Sequence, residues 1–238
     1  MEIILISLLT LIAGMMGTIS GFGTSTIMVP IALLFLPLPE TLLLVGIIHW
    51  FGDLWKVILF RHGIRRSLLL YFALPGIITT VFAAYLALIL ASDGLTNLIG
   101  WFLVIYSLFL ILSPTFAIPP RPVNAILGGA LYGFLAGLTG LGGPIRSAFL
   151  SALNLKNNVY LATSGMIGIS IDTFRLITYI YLGTRLSPQL NQSLFILIPL
   201  SFIAAELAKL VVTKLPHIWF RRLVSLFLAL AGIKLILS

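Results

Sequence analysis

The sequence predicts an all-α membrane protein made of two inverted repeats of about five helical segments each. Three observations carry that reading: an extreme apolar composition, a series of apolar stretches near bilayer length, and a match of the chain to itself at a shift of half its length. Of 238 residues, 60% are hydrophobic and 8% are charged, and the mean hydropathy is +1.18. A water-soluble domain needs roughly a quarter of its residues charged to cover its exterior, so a soluble enzyme is excluded first. The chain has no cysteine, which removes disulfides, thiol catalysis and cysteine-ligated metals together.

A hydrocarbon core about 30 Å thick takes about 20 residues of helix to cross. Cutting the chain at its polar and Pro/Gly breaks leaves ten apolar stretches, approximately 2–19, 24–36, 40–60, 67–91, 95–112, 123–139, 144–153, 158–182, 190–214 and 221–238. The second and seventh are too short to cross alone. Each follows a glycine cluster, Ser20-Gly21-Phe22-Gly23-Thr24-Ser25 in one case and Gly140-Leu141-Gly142-Gly143-Pro144 in the other. The first stretch has Glu2 where a signal peptide carries basic residues, and no clear small-residue cleavage site, so it is expected to be a permanent span.

A shift of 119 residues places Gly14 on Gly133, Gly21 on Gly140, Gly23 on Gly142, Gly46 on Gly165, Asp53 on Asp172 and Lys56 on Arg175. Ionisable residues are scarce in these stretches, so two such coincidences at one offset point to duplication. Residues 1–119 and 120–238 are expected to be two transmembrane repeats forming one integral membrane domain. Five crossings per half would put Arg61, Arg65, Arg66, Arg121, Lys156, Lys214, Arg221 and Arg222 on one side, leaving Arg185 with Glu2, Glu40 and Asp93 on the other. Four per half would split the basic residues almost evenly. Cytoplasmic loops carry the excess Lys and Arg, so the halves are expected to be inverted, with both termini outside and a multi-pass location in the cell membrane. The net charge of +8 is then a topology signal and predicts no nucleic-acid partner.

A half-helix that starts inside a membrane points free N–H groups and its positive dipole end into a cavity, where an anion can bind. The candidate substrate-binding residues are therefore Gly21, Gly23, Thr24, Ser25, Gly140, Gly142, Gly143 and Arg146, with Ser25 a plausible N-cap and Pro144 suited to a first helical turn. Arg146 is the sharpest of them. A cation near a helix N-terminus is unfavourable unless an anion sits between the two. Close helix packing accounts for the glycines without any ligand, and that reading stays open.

Asp53 with Lys56, and Asp172 with Arg175, are three residues apart on one helix face and can form internal ion pairs. Charges at this depth face a protein interior or an aqueous path, so these four are candidates for gating or coupling; pairs that only neutralise themselves are the alternative. His49, one turn before Asp53, is a candidate for proton coupling, against the reading of a packed histidine beside Trp50. Glu206 is expected to pair with Lys209, and Trp50, Trp55, Trp101 and Trp219 to form an aromatic belt. Three histidines and six carboxylates offer no recognisable metal cluster or catalytic dyad, so no metal, cofactor or enzyme activity is expected.

The run from Gly14 through Gly17, Gly21 and Gly23 to Pro30, and the run Gly133-Phe-Leu-Ala-Gly137-Leu-Thr-Gly140-Leu-Gly142-Gly143-Pro144-Ile continuing through Arg146, Ala162-Thr163-Ser164 and Asp172-Thr-Phe-Arg175, resemble the TauE/SafE family of membrane transporters, often described as sulfite exporters. The resemblance covers essentially the whole chain. The first motif departs from the family's triple glycine, with Thr24 and Ser25 after Gly23. The resemblance implies export of sulfite, a small organosulfur anion or another small anion. The leading expectation is a secondary transporter that works by alternating access, with a small anion as substrate, a proton as candidate coupling ion and the lipid bilayer as surroundings. An anion channel is the nearest rival, and a membrane assembly subunit a more distant one.

Overall fold

The computed structural model describes residues 2–20, 22–60, 63–90, 93–112, 118–119, 121–153, 155–211 and 217–237. They form ten helices and no strand among the described residues: α1 (Glu2–Ser20), α2 (Ser25–Ala32), α3 (Leu38–Leu59), α4 (Arg66–Ile89), α5 (Asp93–Leu112), α6 (Pro122–Thr139), α7 (Gly143–Ser151), α8 (Asn157–Tyr181), α9 (Pro188–Val211) and α10 (His217–Leu237). They coincide with the ten apolar stretches to within a few residues. Prolines at the first turn of α3, α6 and α7 sit where a missing N–H is harmless. One π-helical turn, Leu69–Ala73, interrupts α4.

Among the described residues, four helices are long and apolar enough to cross a membrane: Leu38–Leu59, Arg66–Ile89, Pro122–Thr139 and Pro188–Leu210. The molecule is inverted relative to a soluble protein. Leu70, Ile78, Phe82, Leu112 and Phe195 are exposed, while Asp53, Lys56, Arg146, Asp172 and Arg175 are buried. Only a lipid surround makes that distribution favourable.

Helices α2 and α7 have eight and nine residues, about 12–14 Å of helix, and neither can cross alone. Each doubles back along its predecessor. Gly17 lies against Gly23 and Thr10 Oγ1 meets Met28 Sδ in the first hairpin; Gly128 lies against Phe149, and Tyr132 against Arg146, in the second. Helix α4 runs parallel to α6, with Gly129, Gly133 and Gly137 set on the backbone of Phe72, Gly76 and Thr80. Helix α1 packs on α9, where Gly14 faces Ala204, and α5 packs on α10, where Gly100 and Gly232 touch. Side chains on these glycines would push the helices apart, which is the packing role small residues play in membranes. Helices α3 and α8 cross antiparallel at the centre and carry the buried charges except Arg146, which α7 supplies.

The Trp50 indole N–H donates to Thr173 Oγ1 at 2.8 Å and that of Trp55 to Ser201 Oγ at 3.2 Å, so both tie α3 to a neighbouring helix. Lys209 and Glu206 lie 4.0 Å apart on the surface, the expected i,i+3 pair. Gly21, Arg61 and Lys214 lie outside the described residues.

Candidate functional site

Where α3 crosses α8, the i,i+3 spacing produces both expected ion pairs. Lys56 Nζ donates to Asp53 Oδ1 at 2.8 Å, and Arg175 Nη2 lies 3.0 Å from Asp172 Oδ1. The crossing adds two links between the halves of the chain. Arg146 Nη1 donates to Asp53 Oδ2 at 2.7 Å, and His49 Nδ1 lies 2.7 Å from Asp172 Oδ2. His49 Nε2 is 3.7 Å from Asp53 Oδ2, so the imidazole stands between the two aspartates. Every side chain in this group is at most 4% exposed.

Arg146 is held further by the Ser164 carbonyl, which accepts from Nη1 at 3.0 Å, and by Tyr132, whose hydroxyl is 3.3 Å from Nη1 and whose ring faces the guanidinium at 5.4 Å. Arg175 donates from Nη1 to the Ala136 carbonyl at 2.9 Å. Burying an ion costs several kcal/mol and is tolerated only with close counter-charges and hydrogen bonds. Asp53 meets that condition, and Asp172, whose Oδ1 makes no hydrogen bond, and the two guanidinium groups meet it in part. Nε and Nη2 of Arg146, and the same atoms of Arg175, have no hydrogen-bond partner, nor does His49 Nε2.

The structure separates the expected binding residues. Gly23, Gly143 and Arg146 come together: a Cβ on Gly23 would lie 3.2 Å from Arg146 Nη2, and one on Gly143 would strike the Phe22 carbonyl. Gly23 has φ +85°, a conformation that favours glycine. Gly140, with φ +75°, lies beside Arg175, where a Cβ would be 3.6 Å from Nη1. Gly142 packs under Tyr132. Thr24 takes the N-cap position of α2 and makes no side-chain cap bond; Ser25 is the first helical residue, which corrects its expected role as N-cap. Pro144 stands in the first turn of α7 as expected.

The anion that the position of Arg146 demanded is, in this state, the carboxylate of Asp53. Three participants escaped sequence reasoning. Tyr132 lacked a flag because an aromatic in an apolar helix is ordinary, and Ser164 contributes only its backbone. Gly168 is the most instructive. A Cβ there would collide with both Asp53 Oδ2 and Arg146 Nη1, so its absence makes the ion pair possible. It is also the residue that the 119-residue shift places on His49, a signal that could have found it.

An apolar exterior around a buried, charged centre at interrupted helices is the build of a membrane transporter. The chain belongs to the TauE/SafE family: the family model described as "Sulfite exporter TauE/SafE" matches residues 6–235. No curated protein matches the sequence. The chain is therefore a multi-pass membrane transporter.

Proposed function

We propose that the protein is a secondary transporter that carries a small anion, sulfite or a small organosulfur anion, across the cytoplasmic membrane by alternating access. The anion takes over the unpartnered donors of Arg146 at the meeting of α2, α7 and the α3/α8 crossing, beside Gly23 and Gly143. The observation that carries this reading is Arg146 itself. It is fully buried, bound through one nitrogen to Asp53, and has Nε and Nη2 free of any hydrogen bond. Buried donors are rarely left unpaired, and unpaired ones on a guanidinium suit an oxyanion.

Alternating access is supported by how the halves pack. Helix α1 on α9 corresponds to α6 on α4, α3 on α9 to α8 on α4, and the α1/α2 hairpin to the α6/α7 hairpin, while the α3–α8 and α5–α10 pairs each map onto themselves. That exchange is what two inverted repeats would produce. Because α2 and α7 turn back, each half still carries an odd number of passes. Arg121 shares a cleft with Leu68 and Leu153 near Arg66, and the Arg65 N–H reaches Thr163 of α8, so basic residues gather at one end of the bundle. Glu40 meets Ser187 at the other. The basic end is read as cytoplasmic, leaving both termini outside.

Sulfite counterflow in proteoliposomes tests the reading, comparing the natural chain with Arg146→Ala at matched incorporation. Saturable exchange that falls at least a hundredfold in the variant is the expected result. Equal exchange by both proteins would remove Arg146 from the site. Absence of exchange by either folded protein would remove sulfite as cargo.

A further inference from the structure

The Asp172 carboxylate 2.7 Å from His49 Nδ1 can only accept, so in the neutral ring Nδ1 carries the proton and Nε2, 3.7 Å from Asp53 Oδ2, presents a lone pair. That lone pair has no partner, although the residue is 2% exposed. Beside it stands the unpartnered Nη2 of Arg146. Both abut Gly23, where a Cβ would crowd His49 Nε2 at 2.5 Å and lie 3.2 Å from Arg146 Nη2, so only a glycine lets the backbone of the α1/α2 hairpin sit against the two groups. An acceptor next to a cationic donor is the complement of an acid oxyanion, which offers one O–H and one charged oxygen side by side.

The charges around His49 agree with the geometry. Asp53 lies on its own helix and is paired with Lys56; Asp172 and Arg175 face it from α8, and Arg146 from α7, with the Tyr132 hydroxyl of α6 on the far side of Arg146. From the α1/α2 hairpin it meets the uncharged Gly23. Three cations against two carboxylates leave a buried excess of one positive charge while His49 is neutral. A singly charged anion cancels that excess. A doubly charged anion overshoots it by one unless a proton arrives with it, and Nε2 is the vacant place for that proton.

We propose that the site takes its cargo as a monoprotonated oxyanion or, equivalently, as a dianion with one proton on His49 Nε2, so that one proton crosses with each dianion. In the site the O–H bond of the cargo breaks and an Nε2–H bond forms, leaving the dianion between imidazolium and guanidinium; the transfer reverses on release. Asp172 is a positioning residue that keeps Nδ1 protonated. The inference rests on the anion-transport reading above.

Two measurements test it. In proteoliposomes loaded with pyranine, at a pH where free sulfite is mostly dianionic and with protein-free vesicles subtracted, sulfite uptake by the natural chain should acidify the lumen by about one proton per sulfite. His49→Gln should slow counterflow and, per sulfite taken up, lower the acidification at least fivefold, and Asp172→Asn, which frees Nδ1 to turn its proton over to Nε2, should lower that ratio in the same direction. Uptake without acidification by the natural chain, or unchanged acidification in both variants, would overturn the proposal. The second measurement needs no cargo: ¹⁵N spectra of histidine-labelled protein, with His49 assigned by its loss in His49→Gln. A proton on Nδ1 and a bare Nε2 are expected. An Nε2–H tautomer would overturn the proposal even if sulfite is exchanged, and a bare Nε2 without sulfite exchange would sink only the cargo.

Discussion

Asp53 and Asp172 occupy equivalent positions at the 119-residue shift, and each has a cation three residues later, Lys56 in one case and Arg175 in the other. Their remaining partners differ. Asp53 receives a guanidinium, Arg146, from the second half; Asp172 receives an imidazole, His49, from the first. Position 27, the counterpart of Arg146, is isoleucine, and position 168, the counterpart of His49, is glycine. The shared residues build a frame of two braced carboxylates, and the unshared ones give one carboxylate a guanidinium and the other an imidazole. In the proposed site such inequality helps release of the cargo, because an internal carboxylate holds one nitrogen of Arg146 and leaves the others free for an anion.

The sharpest way to break the comparison is to fill the space that makes it possible. Gly168→Ala puts a Cβ against both ends of the Asp53–Arg146 pair. Breaking a buried pair costs about 3–5 kcal/mol, so the variant should lose much of its resistance to denaturation in detergent and at least tenfold in counterflow rate. A variant with the natural protein's stability and rate would mean that the pair is not close-packed there. A smaller effect is expected at the Trp50–Thr173 bond, which steadies α3 against α8 beside Asp172. Trp50→Phe should cost about 1 kcal/mol in thermal unfolding and leave saturation by anion unchanged. The smallest effect is expected at the surface pair: Lys209→Ala should change stability by less than about 0.5 kcal/mol, since that pair is exposed and its members lie 4.0 Å apart.

Much of the frame was legible in the sequence because its signals are one-dimensional. Apolar stretch length fixes where helices lie, and Asp53/Lys56 and Asp172/Arg175 reveal themselves by i,i+3 spacing alone. The links that make the site were not legible, because they join residues 93 and 123 positions apart. Arg146 illustrates the limit. Its place near a helix start pointed to a bound anion, and nothing in the local sequence named Asp53 as the carboxylate that meets it. The hydrogen bonds of Trp50 and Trp55 were hidden for a related reason, since their hydroxyl partners on α8 and α9 are brought near only by packing. Gly168 was hidden because a missing side chain leaves no mark unless the duplicated position is inspected.

The central proposal is that the transported anion binds the free donors of Arg146 while Asp53, on the same guanidinium, opposes it by its charge. The direct measurement is the half-saturation concentration of sulfite counterflow in Asp53→Asn beside Arg146→Gln, both referred to the natural chain. Removing the opposing charge should lower the half-saturation concentration in Asp53→Asn by at least threefold, whereas Arg146→Gln should abolish saturable exchange. Weaker sulfite binding in Asp53→Asn together with intact exchange in Arg146→Gln would contradict the claim.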